Sequence, residues 1–257
     1  IYELIESHRV FNKRNMFNWL SFFDTHHPIN GSPSFSSKSR IDLDNLLKST
    51  TITKKKSPFR TYCKYAFERH LEEYKQWDFH MKQLYNFIEE NYSDSEILVA
   101  LVSDHGDNLL DNMKKSPELL NSGRTRVPLM LRGVNKNGYC EELIENVDLL
   151  PIILSQSNIP YDDQNIDGNL PYILGGKERK YTFSESIYPN QTYKATLKDK
   201  DYEFYIESKE KTTDDGYFNL ENAKLTIYDK LNYARVNNKD LDEKYMSCLL
   251  NYDIWNR

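Results

Sequence analysis

The chain has 257 residues, with 34 Lys and Arg against 39 Asp and Glu and a net charge of -5. That balance leaves no basic footprint for nucleic acid, and no apolar run reaches the roughly 20 residues a membrane-spanning helix needs. Hydrophobic residues at 39% and aromatics at 13% supply apolar surface for one large domain or two small ones.

Taken in chain order, Asn15 to Phe23 is an apolar, aromatic run that predicts a buried strand ending at Asp24. Asp24-Thr25-His26-His27-Pro28 follows, then a Ser-, Pro- and Gly-rich stretch to Ser39. Ser49 to Pro58 is polar and basic, as in a surface loop. From Arg60 to Tyr92 the period changes. Leu71, Tyr74, Trp77, Met81, Leu84, Phe87 and Ile88 recur at helical spacing, so a long amphipathic helix with one core-facing stripe is predicted. His70 and His80 on this helix read as ordinary surface or packing histidines, because no acid falls at ligand spacing.

Ile97 to Val102 is a second apolar run, suited to a strand buried on both faces of a parallel sheet. Arg126 to Leu131 predicts another strand. Glu142 to Ser155 predicts a helix with Pro151 near its first turn. The alternation of strand and helix points to an α/β layered fold with a largely parallel sheet flanked by helices. After Gly175-Gly176 the runs become short, aromatic and β-branched: Tyr181 to Ser186, Tyr193 to Leu197, Tyr202 to Ile206 and Lys224 to Tyr228. Polar turns such as Lys198-Asp199-Lys200 separate them. They predict a small antiparallel sheet, closed by a helix within Leu241 to Trp255. The division expected is therefore 1–176 for the α/β part and 177–257 for the antiparallel part.

Three distant cysteines, Cys63, Cys140 and Cys248, have no metal-ligand spacing and an odd count. They read as reduced thiols, which leans toward a cytoplasmic setting and leaves an extracytoplasmic one open.

Candidate chemistry sits where strands end, since ligands of α/β sheets bind beyond the carboxyl ends of the strands. One strand ends at Asp24 to Pro28. The other ends at Ser103-Asp104-His105-Gly106-Asp107. Asp oxygens and His nitrogens suit divalent metals, and Gly106 lets the backbone turn without a Cβ clash. Asp107 reads as a solvent-exposed turn acid, Arg126 as a structural pairing residue, Asp148 as a cap or orienting group and Glu185 as a weaker site candidate.

Five segments in this order resemble the C-terminal half of a sulfatase, a family of the alkaline phosphatase superfamily. They are FFDTHHP, VALVSDHG, RVPL, VDLLP and KLTIYDKLN, and they span nearly the whole chain. The resemblance implies a metal-dependent hydrolase of sulfate esters. It implies Asp104 and His105 as metal ligands and His26 as the group contacting the leaving-group oxygen. Many members carry a His-Gly turn and a substrate-binding lysine between the Ser-Asp-His-Gly turn and the Val-Pro-Leu strand; this chain departs from that pattern in having no histidine there, and Lys114 or Lys115 is the candidate to bind the substrate anion. The expected metal is calcium, with manganese or zinc if the protein is a phosphotransferase. No Cys/Ser-x-Pro-x-Arg nucleophile motif is present. The chain is therefore expected to be the C-terminal portion of a longer protein whose N-terminal half completes the site. The expected partner is a small-molecule or glycan sulfate or phosphate ester, with no nucleic acid and no membrane segment. The alternatives are a phosphatase or phospho-group transferase of the same superfamily acting on glycans, and a catalytically silent sulfatase-like binding module.

Overall fold

The computed structural model describes residues 15–22, 56–106 and 118–251, with side chains in the long helix from residue 71 onward. The chain divides into two compact units between Ser93 and Asp94.

In the first unit, helix α1 spans Lys56–Asn91. It begins inside the stretch expected to be a surface loop. Met81, Leu84 and Ile88 are buried at three- and four-residue spacing, as the periodicity predicts. Leu71 and Tyr74, assigned to the same stripe, are exposed, so the stripe is buried only toward the C-terminal end. Trp77 meets the Phe22 ring edge to face at 6.4 Å. His80 is exposed and stacks edge-on against Phe79. Residues 15–22 form no strand, contrary to expectation, and Phe17 and Trp19 are about 70% exposed. A strand needs a neighbour to take its backbone N–H and C=O groups. Among the described residues this run has none.

The second unit opens with β1 (Val99–Val102), paired to β2 (Leu129–Arg132). The pair is antiparallel, with Val99 opposite Arg132 and Val102 opposite Leu129. The expected largely parallel sheet is not seen among the described residues, where no parallel pair occurs. Apolar composition does not encode strand direction, and antiparallel strands are common at the edges of otherwise parallel α/β sheets. Between the two strands lies a short helix, α2 (Ser122–Thr125), capped by the Asn121 side chain on Gly123 N at 2.9 Å. A 3-10 turn, Asn146–Asp148, then leads into α3 (Leu149–Gln156). Pro151 falls in the first turn of α3, where its missing N–H costs no helical bond. Asp148 does orient this segment. Its buried carboxylate accepts from Glu145 N at 2.8 Å and Asn169 N at 2.7 Å, and pairs with Arg179.

A five-stranded antiparallel meander follows: β3 (Thr182–Ser186), β4 (Thr192–Lys198), β5 (Tyr202–Lys211), β6 (Lys224–Asp229) and β7 (Arg235–Val236). Helix α4 (Lys239–Leu250) covers one face. Strand alternation places Tyr193, Ala195, Leu197, Phe204, Ile206 and Ile227 in one core with Tyr245 and Leu249 of α4. Phe204 stacks on Tyr245 at 5.5 Å. The opposite face carries Lys198, Glu203, Tyr205 and Tyr228, with Leu120 packed against the two tyrosines. Cys140 and Cys248 are free thiols. No helix among the described residues is long and apolar enough to cross a membrane.

Candidate functional site

β1 stops at Val102, and Ser103-Asp104-His105-Gly106 turn away from the sheet. Local hydrogen bonds replace the ladder there. Ser103 Oγ donates to the His105 carbonyl at 2.8 Å, and His105 N donates to Asp104 Oδ1 at 2.8 Å. His105 Nδ1 lies 3.0 Å from the Gly106 carbonyl. A carbonyl only accepts, so Nδ1 carries the hydrogen and Nε2 presents a lone pair. Nε2 lies 3.7 Å from Asp104 Oδ2. Two ligands at zinc-type bond lengths and tetrahedral angles are roughly 3.5 Å apart. The 3.7 Å between Nε2 and Oδ2 is that of an ion pair and close to this ligand spacing, and both side chains reach solvent, at 82% exposure for Asp104 and 42% for His105.

Partial burial pushes the Asp104 carboxyl up. Hydrogen bonds from the His105 amide and the Ser103 hydroxyl, with attraction to the His105 ring whenever that ring is protonated, push it down and prevail, holding it below the usual carboxylate range. The ionised form is thus favoured.

The turn is clamped from two sides. Asn146 Nδ2 donates to the Ser103 carbonyl at 3.0 Å and to the Asp104 carbonyl at 3.1 Å. Gly106 N donates to the Arg124 carbonyl in α2 at 2.8 Å. A Cβ on Gly106 would fall well under 3.0 Å from the Gly123 carbonyl oxygen. The glycine is needed for this close backbone approach, not for a left-handed turn, since its φ is not positive.

α2 rests in turn on a buried polar group of the five-stranded sheet. Lys198 Nζ donates to Thr125 Oγ1 at 2.7 Å and to Ser122 Oγ at 3.2 Å, and sits 3.7 Å from Glu203. Ser122 Oγ donates to one Glu203 oxygen and Tyr205 OH to the other, the latter at 2.5 Å. Burial pulls the Lys198 ammonium down to about 8. Lys230 adds to that, and Glu203 opposes it.

Asp104 and His105 open onto a broad cleft of about 2510 Å³, shared by Arg124, Arg126, Lys198 and Lys230. Arg126, expected to pair structurally, has no side-chain partner among the described residues. Glu185 accepts from Tyr193 OH at 3.1 Å and lines the same cleft.

Of the expected site residues, Asp104 and His105 are brought together. His26, Lys114 and Lys115 lie outside the described residues, as do Asp24, His27 and Asp107. Among the described residues no group of three or more His, Cys, Asp or Glu side chains is placed to hold a metal. Asn146, Ser122 and Lys198 carry no local sequence signal for their part in the site. Asn146 directly precedes the Val147-Asp148 motif, and Lys198 closes β4 although the polar run Lys198-Asp199-Lys200 predicts a turn.

The sulfatase family model matches residues 4–159, more than half of the chain. The chain belongs to the sulfatase family. Membership implies the α/β fold of the alkaline phosphatase superfamily and, at the level of the family, hydrolase chemistry. In this sulfatase-family chain the match takes in the Asp104–His105 turn, Asn146 and α2, and ends before the five-stranded sheet. No curated protein sequence matches closely enough to refine the assignment.

Proposed function

We propose that this chain serves a metal-dependent hydrolase of sulfate esters, with Asp104 and His105 as two ligands of a divalent cation. The observation that carries the reading is the pair itself. An ionised carboxylate and an imidazole with its lone pair on Nε2 stand 3.7 Å apart at a strand tip, inside the span that matches the family. When bound, the cation would neutralise the ester oxygens and polarise the bond to be broken. The chain's own residues prepare for it. The Gly106 carbonyl fixes the imidazole tautomer, while Ser103 and the His105 amide keep the carboxylate charged. His26 would pass a proton to the departing oxygen. Lys114 or Lys115 would hold the ester anion, and Arg124, lining the same cleft as Asp104, adds positive charge there.

One observation favours a second reading. Calcium takes oxygen ligands, whereas an imidazole nitrogen suits manganese or zinc. His105 as a ligand therefore supports a phosphatase or phospho-group transferase with manganese or zinc. The discriminating assay strips the full-length protein of metal, then adds Ca²⁺, Mn²⁺ or Zn²⁺ with an aryl sulfate or an aryl phosphate. Metal-restored sulfate release, lost in Asp104→Ala, is the expected result. Phosphate release alone would move the assignment to the second reading. Metal-independent turnover of both esters, unchanged in Asp104→Ala, would overturn both.

A further inference from the structure

Lys198 and Glu203 face each other directly across β4 and β5, on the sheet face opposite α4. Their side chains are 8% and 1% exposed. Taking an ammonium and a carboxylate out of water is costly unless every donor and acceptor is matched, and an apolar pair would pack the sheet as well. Here the matching is directional. The two hydroxyls that accept from Lys198 belong to the first and last residues of α2, Ser122 and Thr125. Two attachment points fix the rotation of α2 as well as its position. Glu203 receives the Ser122 and Tyr205 hydroxyls, so the carboxylate is tied down by the same helix turn. Between the two attachment points, Arg124 offers its carbonyl to Gly106 N, the amide next to His105.

We propose that Lys198, backed by Glu203, is a positioning residue for the Asp104–His105 turn, acting through Ser122 and Thr125 of α2 and the Gly106–Arg124 backbone bond. It touches neither ligand. The part concerning metal rests on the proposed ligand role of Asp104 and His105. The coupling between Lys198 and Gly106 stands apart from that role and is tested separately.

The test is residue-resolved amide hydrogen exchange on the whole chain, for wild type, Lys198→Met, Lys198→Arg and Ser122→Ala, with Mn²⁺ titrations alongside. In wild type the Gly106 amide is protected by its bond to Arg124. In Lys198→Met and Ser122→Ala it should exchange about ten-fold faster or more, while the Phe204 and Ile227 amides of the sheet keep their wild-type rates. Lys198→Arg retains the charge and the donors and should restore protection. Mn²⁺ affinity should fall by about ten- to a hundred-fold in the same two variants, as when a partner behind a metal ligand is lost. Should Lys198→Met not fold, Ser122→Ala decides. An unprotected Gly106 amide in wild type would overturn the proposal, and so would wild-type protection in a folded variant. Failure of wild type to bind Mn²⁺ would overturn the ligand role alone, and the Gly106 amide would still decide the coupling.

Discussion

The five-stranded sheet and the β1–β2 pair are both built from short apolar strands, yet different forces hold them. In the sheet, alternate residues are almost fully removed from water against α4. Every residue of β1 is only half-buried, and Met130 of β2 is 59% exposed. The sheet is held by packing. The turn at the end of β1 is held by a handful of directed hydrogen bonds from Asn146 and α2. The comparison teaches where mutations should act: changes in the sheet core should cost stability, and changes at the turn should cost ligand geometry.

The largest expected effect is in the sheet. Phe204→Ala removes a fully buried ring stacked on Tyr245 and should cost about 3–5 kcal/mol. Urea denaturation measures it, and a loss below about 1 kcal/mol would show that α4 does not hold the sheet by packing.

Next is the polar face of the same sheet. Lys198 ionises near 8 in the folded chain and at 10.5 when unperturbed. Between those values the unfolded chain binds a proton that the folded chain does not. The contribution of this group to stability therefore rises with pH through that window, by up to about 3 kcal/mol. Below pH 8 it is flat, with the buried charge at its full cost. Unfolding free energies at pH 7.5 and pH 10 should show this gain in wild type relative to Lys198→Met. Parallel curves would sink it.

Two smaller effects sharpen the contrast at the turn. Gly106→Ala forces a methyl group into the Gly123 backbone and should cost about 1–3 kcal/mol. It should weaken Mn²⁺ binding more than any sheet variant of equal stability, as a paired titration and melt would show. Asn146→Ala deletes two hydrogen bonds to the turn and should cost about 1–2 kcal/mol. Thermal unfolding checks that figure, and an unchanged melt would mean the clamp rests on α2 alone.

The same contrast explains how far the sequence could be read. The helical period of α1, the strand–turn rhythm after Gly176 and the Ser103–Gly106 turn after β1 were legible, because each is a local pattern. What failed was non-local. The antiparallel direction of β1 and β2 depends on the path of the chain between them, and the apolar run at residues 15–22 lacked a neighbour to make it a strand. Lys198 looked like a turn residue beside Asp199 and Lys200. Only its cross-strand partner Glu203 and the hydroxyls of α2, more than seventy residues earlier, make it a buried cation. Asn146 likewise gains meaning only through carbonyls some forty residues upstream.

The central claim is that Asp104 and His105 share a cation, and the most direct measurement is a calorimetric Mn²⁺ titration of wild type beside Asp104→Ala, with a melt of each. Asp104 is 82% exposed, so its replacement should shift stability by no more than about 0.5 kcal/mol. Saturable binding to wild type, and its loss in a variant that melts like wild type, is the expected result. Equal binding by both proteins would contradict it.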